Sequence, residues 1–143
     1  MVTYSPIVVT ASTTLSRARH TGAPVVVKAA AGLTLTLPPS TGSGVKFEIV
    51  IGTTVTSSNV VIQVANGSDV MAGVAWGTQD SGDTVNGWET ASTSDTITLN
   101  GGSKGGYIGD RYVLQDMAAN VWAVSGWAQQ TGTEATPFSA AVS

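Results

Sequence analysis

Cysteine is absent from the 143 residues and histidine occurs once. Without thiols there can be no disulfide scaffold, thiolate zinc site, iron-sulfur cluster or cysteine nucleophile. Charge is scarce too: Asp, Glu, Lys and Arg make up 10% of the chain, against an ordinary share of about 25%. With 9 acidic and 6 basic side chains the formal net charge is -3, which disfavours general nucleic-acid binding. Low charge does not mean disorder, since disorder pairs high net charge with low hydrophobicity and 42% of these residues are apolar. Long apolar runs are also missing; none approaches the ~20 residues of a membrane helix. The first ten residues carry no basic region ahead of an apolar stretch, so no export signal is read there. The expectation is one domain over residues 1–143, made in a cytoplasm, with no membrane or nucleic-acid partner. A chain of this length can bury roughly 68 to 70% of its unfolded surface without metal or disulfide help.

What is present is strand patterning. Leu33-Thr-Leu-Thr-Leu37 alternates without a flaw and stops at Pro38-Pro39. Val45 to Ile51 sends Phe47, Ile49 and Ile51 to one face. Val60–Val64, Asp69–Val74, Thr96–Leu99, Arg111–Gln115 and Val121–Val124 continue the pattern, with shorter candidates at Ile7–Thr10 and Pro24–Lys28. Asn66-Gly67, Asn86-Gly87 and Asn100-Gly101 suit type I′ hairpin turns, because Asn-Gly supplies two positive φ values. Strands at intervals of about ten residues joined by such turns predict a single antiparallel β-sandwich or barrel-like domain. The best helical candidate is a turn near Asp116–Asn120, and no fixed-period repeat suggests a propeller or solenoid. Residues 1–20, rich in Ser and Thr, read as an N-terminal arm or edge segment. The stretch from Gly77 to Ser94 reads as a polar loop holding Trp88, with Trp76 at its start.

Chemistry has little to stand on. A Ser-His-Asp triad would need His20, which lies in the expected arm where a general base is not held in position. Asp80 and Asp83, with Asp69 and Asp95 elsewhere, are oxygen donors of the kind calcium takes, but no EF-hand spacing joins them, and strand ends and Asx turns use the same residues. Glu48, Glu89 and Glu134 have no feature that pairs two of them for glycoside hydrolysis. Gly42-Ser-Gly44 lies between strands and reads as a hairpin loop instead of a phosphate loop. Asn66-Gly-Ser68 matches a glycosylation acceptor and is read as a turn. No enzyme activity, catalytic residue, metal or cofactor is therefore expected. Arg17, Arg19, His20 and Lys28 suit contact with nucleic acid or, about as well, an acidic protein surface. Trp76 and Trp88 are either packed beneath their loop or pressed against another subunit.

Two stretches, Leu35 to Gly52 (LTLPPSTGSGVKFEIVIG) and Val61 to Gly73 (VIQVANGSDVMAG), resemble segments of the small decoration, or cement, proteins on the heads of tailed bacteriophages. Ser94–Gly101, Gly109–Asp116, Val121–Gly126 and Gly132–Phe138 look like the rest of that family, so the likeness spans roughly residues 33 to 138. The resemblance implies a β-rich protein that binds the outer surface of a phage capsid and stabilises it. Its partner would be the major capsid protein, its location the virion, and its state a homo-oligomer, often a trimer. On that reading Arg17, Arg19, His20 and Lys28 are capsid contacts, against the alternative of a solvated tail or a first strand within the oligomer. Trp76 and Trp88 serve self-association. The competing function is a receptor- or glycan-binding β module of a phage fibre, because Gly/Ser/Thr-rich β domains with exposed Trp suit sugar stacking.

Overall fold

Alternation at period two is written into burial as well as sequence. In the computed structural model, which describes residues 5–80 and 84–143, the leucines of Leu33-Thr-Leu-Thr36 are buried and its threonines half-exposed. The described elements are β1 (Ile7–Val9), β2 (Thr13–Thr14), α1 (Arg17–His20), β3 (Val25–Val27), β4 (Leu33–Thr36), β5 (Lys46–Ile51) and β6 (Val60–Gln63). They continue with β7 (Val70–Thr78), β8 (Val85–Glu89), β9 (Thr96–Leu99), β10 (Arg111–Ala118), β11 (Val121–Gln129) and β12 (Phe138–Ser139). A seven-stranded sheet in the order β1-β3-β5-β10-β11-β7-β8 packs on a five-stranded sheet in the order β12-β9-β6-β4-β2. The all-β, sandwich-like class expected from the sequence is what forms.

The sheets are mixed, which corrects the antiparallel expectation. From β1 to β6 the chain changes sheet at every step, so each strand lies parallel to the one two before it. Ile7, Val25 and Ile49 share one register row, and Leu35 faces Ile62 in the other sheet. A connection that crosses to the opposite sheet can be as short as one that folds back, so strand spacing alone does not tell them apart. Antiparallel pairing dominates later: the β10–β11 hairpin inserts between β5 and β7, antiparallel to β5, while β11 runs parallel to β7.

The Asn-Gly pairs fall elsewhere than expected. Asn66-Gly67 joins β6 to β7 across sheets, Asn86-Gly87 lies inside β8, and Asn100-Gly101 follows β9. The two-residue hairpin is Ala119-Asn120 between β10 and β11, with Asn120 at φ 64°. Asp116–Asn120, the helical candidate, is thus the end of a strand, a register irregularity and a turn. Gly42-Ser-Gly44 joins strands of different sheets and is not a hairpin loop. The Gly77–Ser94 stretch contains the end of β7 and all of β8. Residues 5–20 are an edge segment, not a free arm: β1 and β2 are edge strands of the two sheets, Leu15 is buried, and its N–H donates to the Thr36 carbonyl (2.8 Å).

Between the sheets, Val25, Ile49, Phe47, Leu114 and Trp122 meet Leu35, Ile62, Ile97 and Leu99 in one apolar cluster. The Phe47 and Trp122 ring centroids are 5.9 Å apart. Tyr112, opposite Gly126 in register, is fully buried, and its hydroxyl has no partner among the described residues. Burial, and secondarily the charge of Asp110, pushes that phenol above its ordinary range. Tyr112→Phe is expected to raise stability by about 1 kcal/mol, because a buried unpaired hydroxyl is removed with little change of shape. A higher urea midpoint with unchanged slope is the readout.

Candidate functional site

Three sets of side chains stand out: the basic residues of the N-terminal flank, the buried carboxylates, and the tryptophans. Arg17 and Arg19 project from α1 and are exposed. His20 is buried, and its Nδ1 accepts the Ser16 N–H (3.0 Å), closing the single helical turn. That corrects His20 as a contact residue: the imidazole is used locally and has little surface to offer. Lys28 is exposed, but it follows β3 whereas α1 precedes it. Arg17 and Arg19 therefore lie before one end of β3 and Lys28 after the other, and the three do not form a single cluster.

The buried carboxylates hold loops. Asp116, at the end of β10, accepts N–H groups of Thr41 (3.0 and 3.1 Å), Gly42 (2.7 Å) and Ser43 (3.1 Å), and the hydroxyls of Ser43 (2.7 Å) and Ser40 (2.9 Å). Burial alone would raise its pKa, but the hydrogen bonds from Thr41, Ser43, Gly42 and Ser40 outweigh it and hold the carboxyl well below the usual range. Asp69 accepts the Ser40 N–H (2.9 Å) and the Asn120 side-chain amide (3.0 Å), which ties this end of the sandwich together. At the opposite end of β10, Asp110 accepts N–H groups of Gly106 (2.8 Å), Tyr107 (3.0 Å) and Gln129 (2.9 Å). There burial wins over the hydrogen bonds and the pKa is raised. Asp95 accepts the Ala141 and Val142 N–H groups (2.8 and 3.2 Å), fastening the end of the chain.

The calcium candidates are not brought together. Asp80 accepts the Gly132 N–H (3.2 Å), Asp83 lies outside the described residues, and Asp69 and Asp95 have their own backbone donors. Glu48 and Glu89 share the outer face of the large sheet in one register row, separated by four strand spacings. That is roughly 19 Å, beyond the reach of a glycosidase pair. Glu48 is instead ion-paired with Arg111.

The tryptophans divide by face. Trp88 pairs with Ala75 in register, points inward against the core, and donates its Nε1–H to Gln130 Oε1 (2.9 Å). Neighbours on β8 face opposite ways, so Val85, Gly87 and Glu89 share the outer face with Trp76 and Trp88, expected to serve self-association, is turned to the core. Trp76 is exposed as expected, and its companion is Trp127, which sequence reading missed. The ring centroids are 5.8 Å apart at 24°, stacked across neighbouring parallel strands. A signal was present: Trp122 and Trp127 are five residues apart on one strand and must face opposite sides.

No protein-family model, curated protein or solved structure matches the chain. Among the described residues, no helix is long and apolar enough to cross a membrane.

Proposed function

We propose that the chain is a structural virion protein that binds the outer surface of a phage capsid and stabilises it by binding alone. The observation that carries this reading is the set of turn-and-strand segments between residues 33 and 138 that resembles head decoration proteins. A sandwich whose buried carboxylates serve as acceptors for its own loops suits that role, since those loops are fastened by hydrogen bonds in a chain that has no cysteine. A protein that binds the mature shell and not its precursor stabilises the shell by mass action, so many tight sites offset internal DNA pressure without catalysis. The partner is the major capsid protein, with copies assembled as a homo-oligomer, a trimer, on the shell. Docking is through the N-terminal flank, where Arg17 and Arg19 face acidic groups of the capsid. In an otherwise weakly charged surface these two cations act mainly on association rate and salt dependence.

The test is to saturate undecorated heads with the purified chain and count bound copies at low and high salt. The expected copy number rivals that of the major capsid protein, and changing Arg17 and Arg19 to Ala slows binding at low salt with little effect at high salt. Copy numbers far below that of the capsid protein would sink the decoration reading, and unchanged salt dependence would remove the two arginines from it.

A further inference from the structure

One register row crosses the outer face of the seven-stranded sheet through Val8, Val26, Val50, Arg111, Trp127, Trp76 and Gly87. Trp127 and Trp76 are 59% and 42% exposed, although they sit mid-strand on the longest pairing in the molecule. Single exposed apolar residues are ordinary. Two indoles stacked in register on a rigid sheet are a surface already held in shape, so little ordering cost remains when something lands on it. Gly87 keeps the strand beside Trp76 clear, since a Cβ there would approach its ring to 3.0 Å.

The surroundings are mostly polar, with Val85 and the single carboxylate of Glu89 on the far side of Trp76. Ser125 and Gln129 flank Trp127 on its own strand, Thr78 follows Trp76 on the same face, and Arg111 beside Trp127 is neutralised by Glu48. Each indole offers up to roughly 250 Å², so the exposed parts amount to roughly 250 Å² together. A stable protein contact needs about 800 Å² from each partner. The two rings by themselves fall well short of that, and with Ser125, Gln129 and Thr78 around them they suit a slim ligand with an apolar face and a hydroxylated rim.

We propose that Trp127 and Trp76 form a stacking platform for a neutral glycan. Pyranose rings lay their C–H faces on the indoles, and their hydroxyls reach Ser125, Gln129 and the Arg111–Glu48 pair. Glu89, exposed on the same face one register pair from Trp76, repels anionic sugars and so selects neutral ones. This goes beyond capsid attachment and does not rest on it: the platform is on β11 and β7, three to four strand spacings, roughly 14 to 19 Å, from β3 and the N-terminal flank.

The experiment applies the purified chain to an array of neutral and anionic glycans, then repeats it with Trp127→Ala, Trp76→Ala and, as control, the exposed and distant Met117→Ala. Circular dichroism and sedimentation accompany each variant. The expected result is binding to neutral glycans, weakened about tenfold or more by either Trp substitution, with the fold, the sedimentation coefficient and the Met117→Ala affinity unchanged. Binding to no glycan, binding to anionic glycans alone, or binding that survives Trp127→Ala overturns the platform. A smaller species on Trp127→Ala also overturns it, by giving the face to a second copy. Head binding is scored separately: a variant that loses glycan while decorating heads fully leaves the capsid reading intact, and failure of the wild-type chain to decorate heads leaves the platform standing.

Discussion

Asp116→Ala is expected to lower folding stability by about 3 to 5 kcal/mol, among the largest single-residue effects in the chain. The carboxylate is the acceptor for three consecutive backbone N–H groups, Thr41 to Ser43, and for three hydroxyls, those of Ser40, Ser43 and, at 3.4 Å, Thr41. Hydrogen bonds to a charged acceptor are worth about 1.5 to 3 kcal/mol each. Their sum is not lost in full, because the Thr41–Ser43 loop is exposed on its other side and water can reach some of the released donors. Asp116→Asn keeps the volume but turns an NH2 group toward N–H donors, so it should lose nearly as much, which separates the hydrogen bonding from any cavity. The acid response follows in sign. A folded-state pKa below the unfolded value of about 3.9 means stability that is present above that value and lost as pH falls through the folded pKa. Asp110, shifted upward, contributes the opposite way: its share is present below about pH 3.9 and fades as pH rises through its raised pKa. Urea midpoints measured from about pH 5 down to about pH 2 should therefore fall for the wild-type chain and fall less for Asp116→Asn. Equal slopes for the two would show that the loop does not depend on the ionised carboxylate.

The strands that form the inner faces were legible because burial and alternation coincide. Leu33 to Leu37 carries its apolar residues on alternate positions, and in Lys46–Ile51 and Val60–Gln63 burial alternates in the same way, with Val50 and Val61 left on the outer side. Strand direction was not legible, since period two reads the same whether the next connection folds back or crosses to the other sheet. β2 and β12 escaped because two residues carry no period, and β8 because Val85-Asn-Gly-Trp-Glu89 looks like a turn. The carboxylate cages were hidden for a different reason. Asp116 and the Ser40–Ser43 loop are more than 70 residues apart in the chain and meet only when the β10–β11 hairpin inserts beside β5. Parity alone could have found Trp127 on the outer face; its pairing with Trp76 could not be found, because parallel register between β7 and β11 is set by the whole sheet.

Gly126→Ala is expected to cost about 3 kcal/mol, at the upper end of what overpacking a core ordinarily costs. Gly126 lies in β11 directly opposite Tyr112, and the tyrosine ring lies over the space a side chain would take. A methyl group there would overlap the ring, with even its Cγ only 2.9 Å away. The ring has nowhere to go, being fully buried among the side chains that join the two sheets. A glycine inside an otherwise regular strand signals such a close approach, and Gly126 carries that signal in the run Val121-Trp-Ala-Val-Ser-Gly126. The cause can be isolated with a second substitution. Tyr112→Leu empties part of the ring's volume and should by itself destabilise by leaving a cavity. Combined with Gly126→Ala, the added methyl fills that space, so the double variant should be less damaged than the two single losses imply. An interaction of about 1 kcal/mol or more in that direction is the expected reading from paired denaturation curves. Strict additivity would mean that Gly126 is required by the β11 backbone and not by the ring above it.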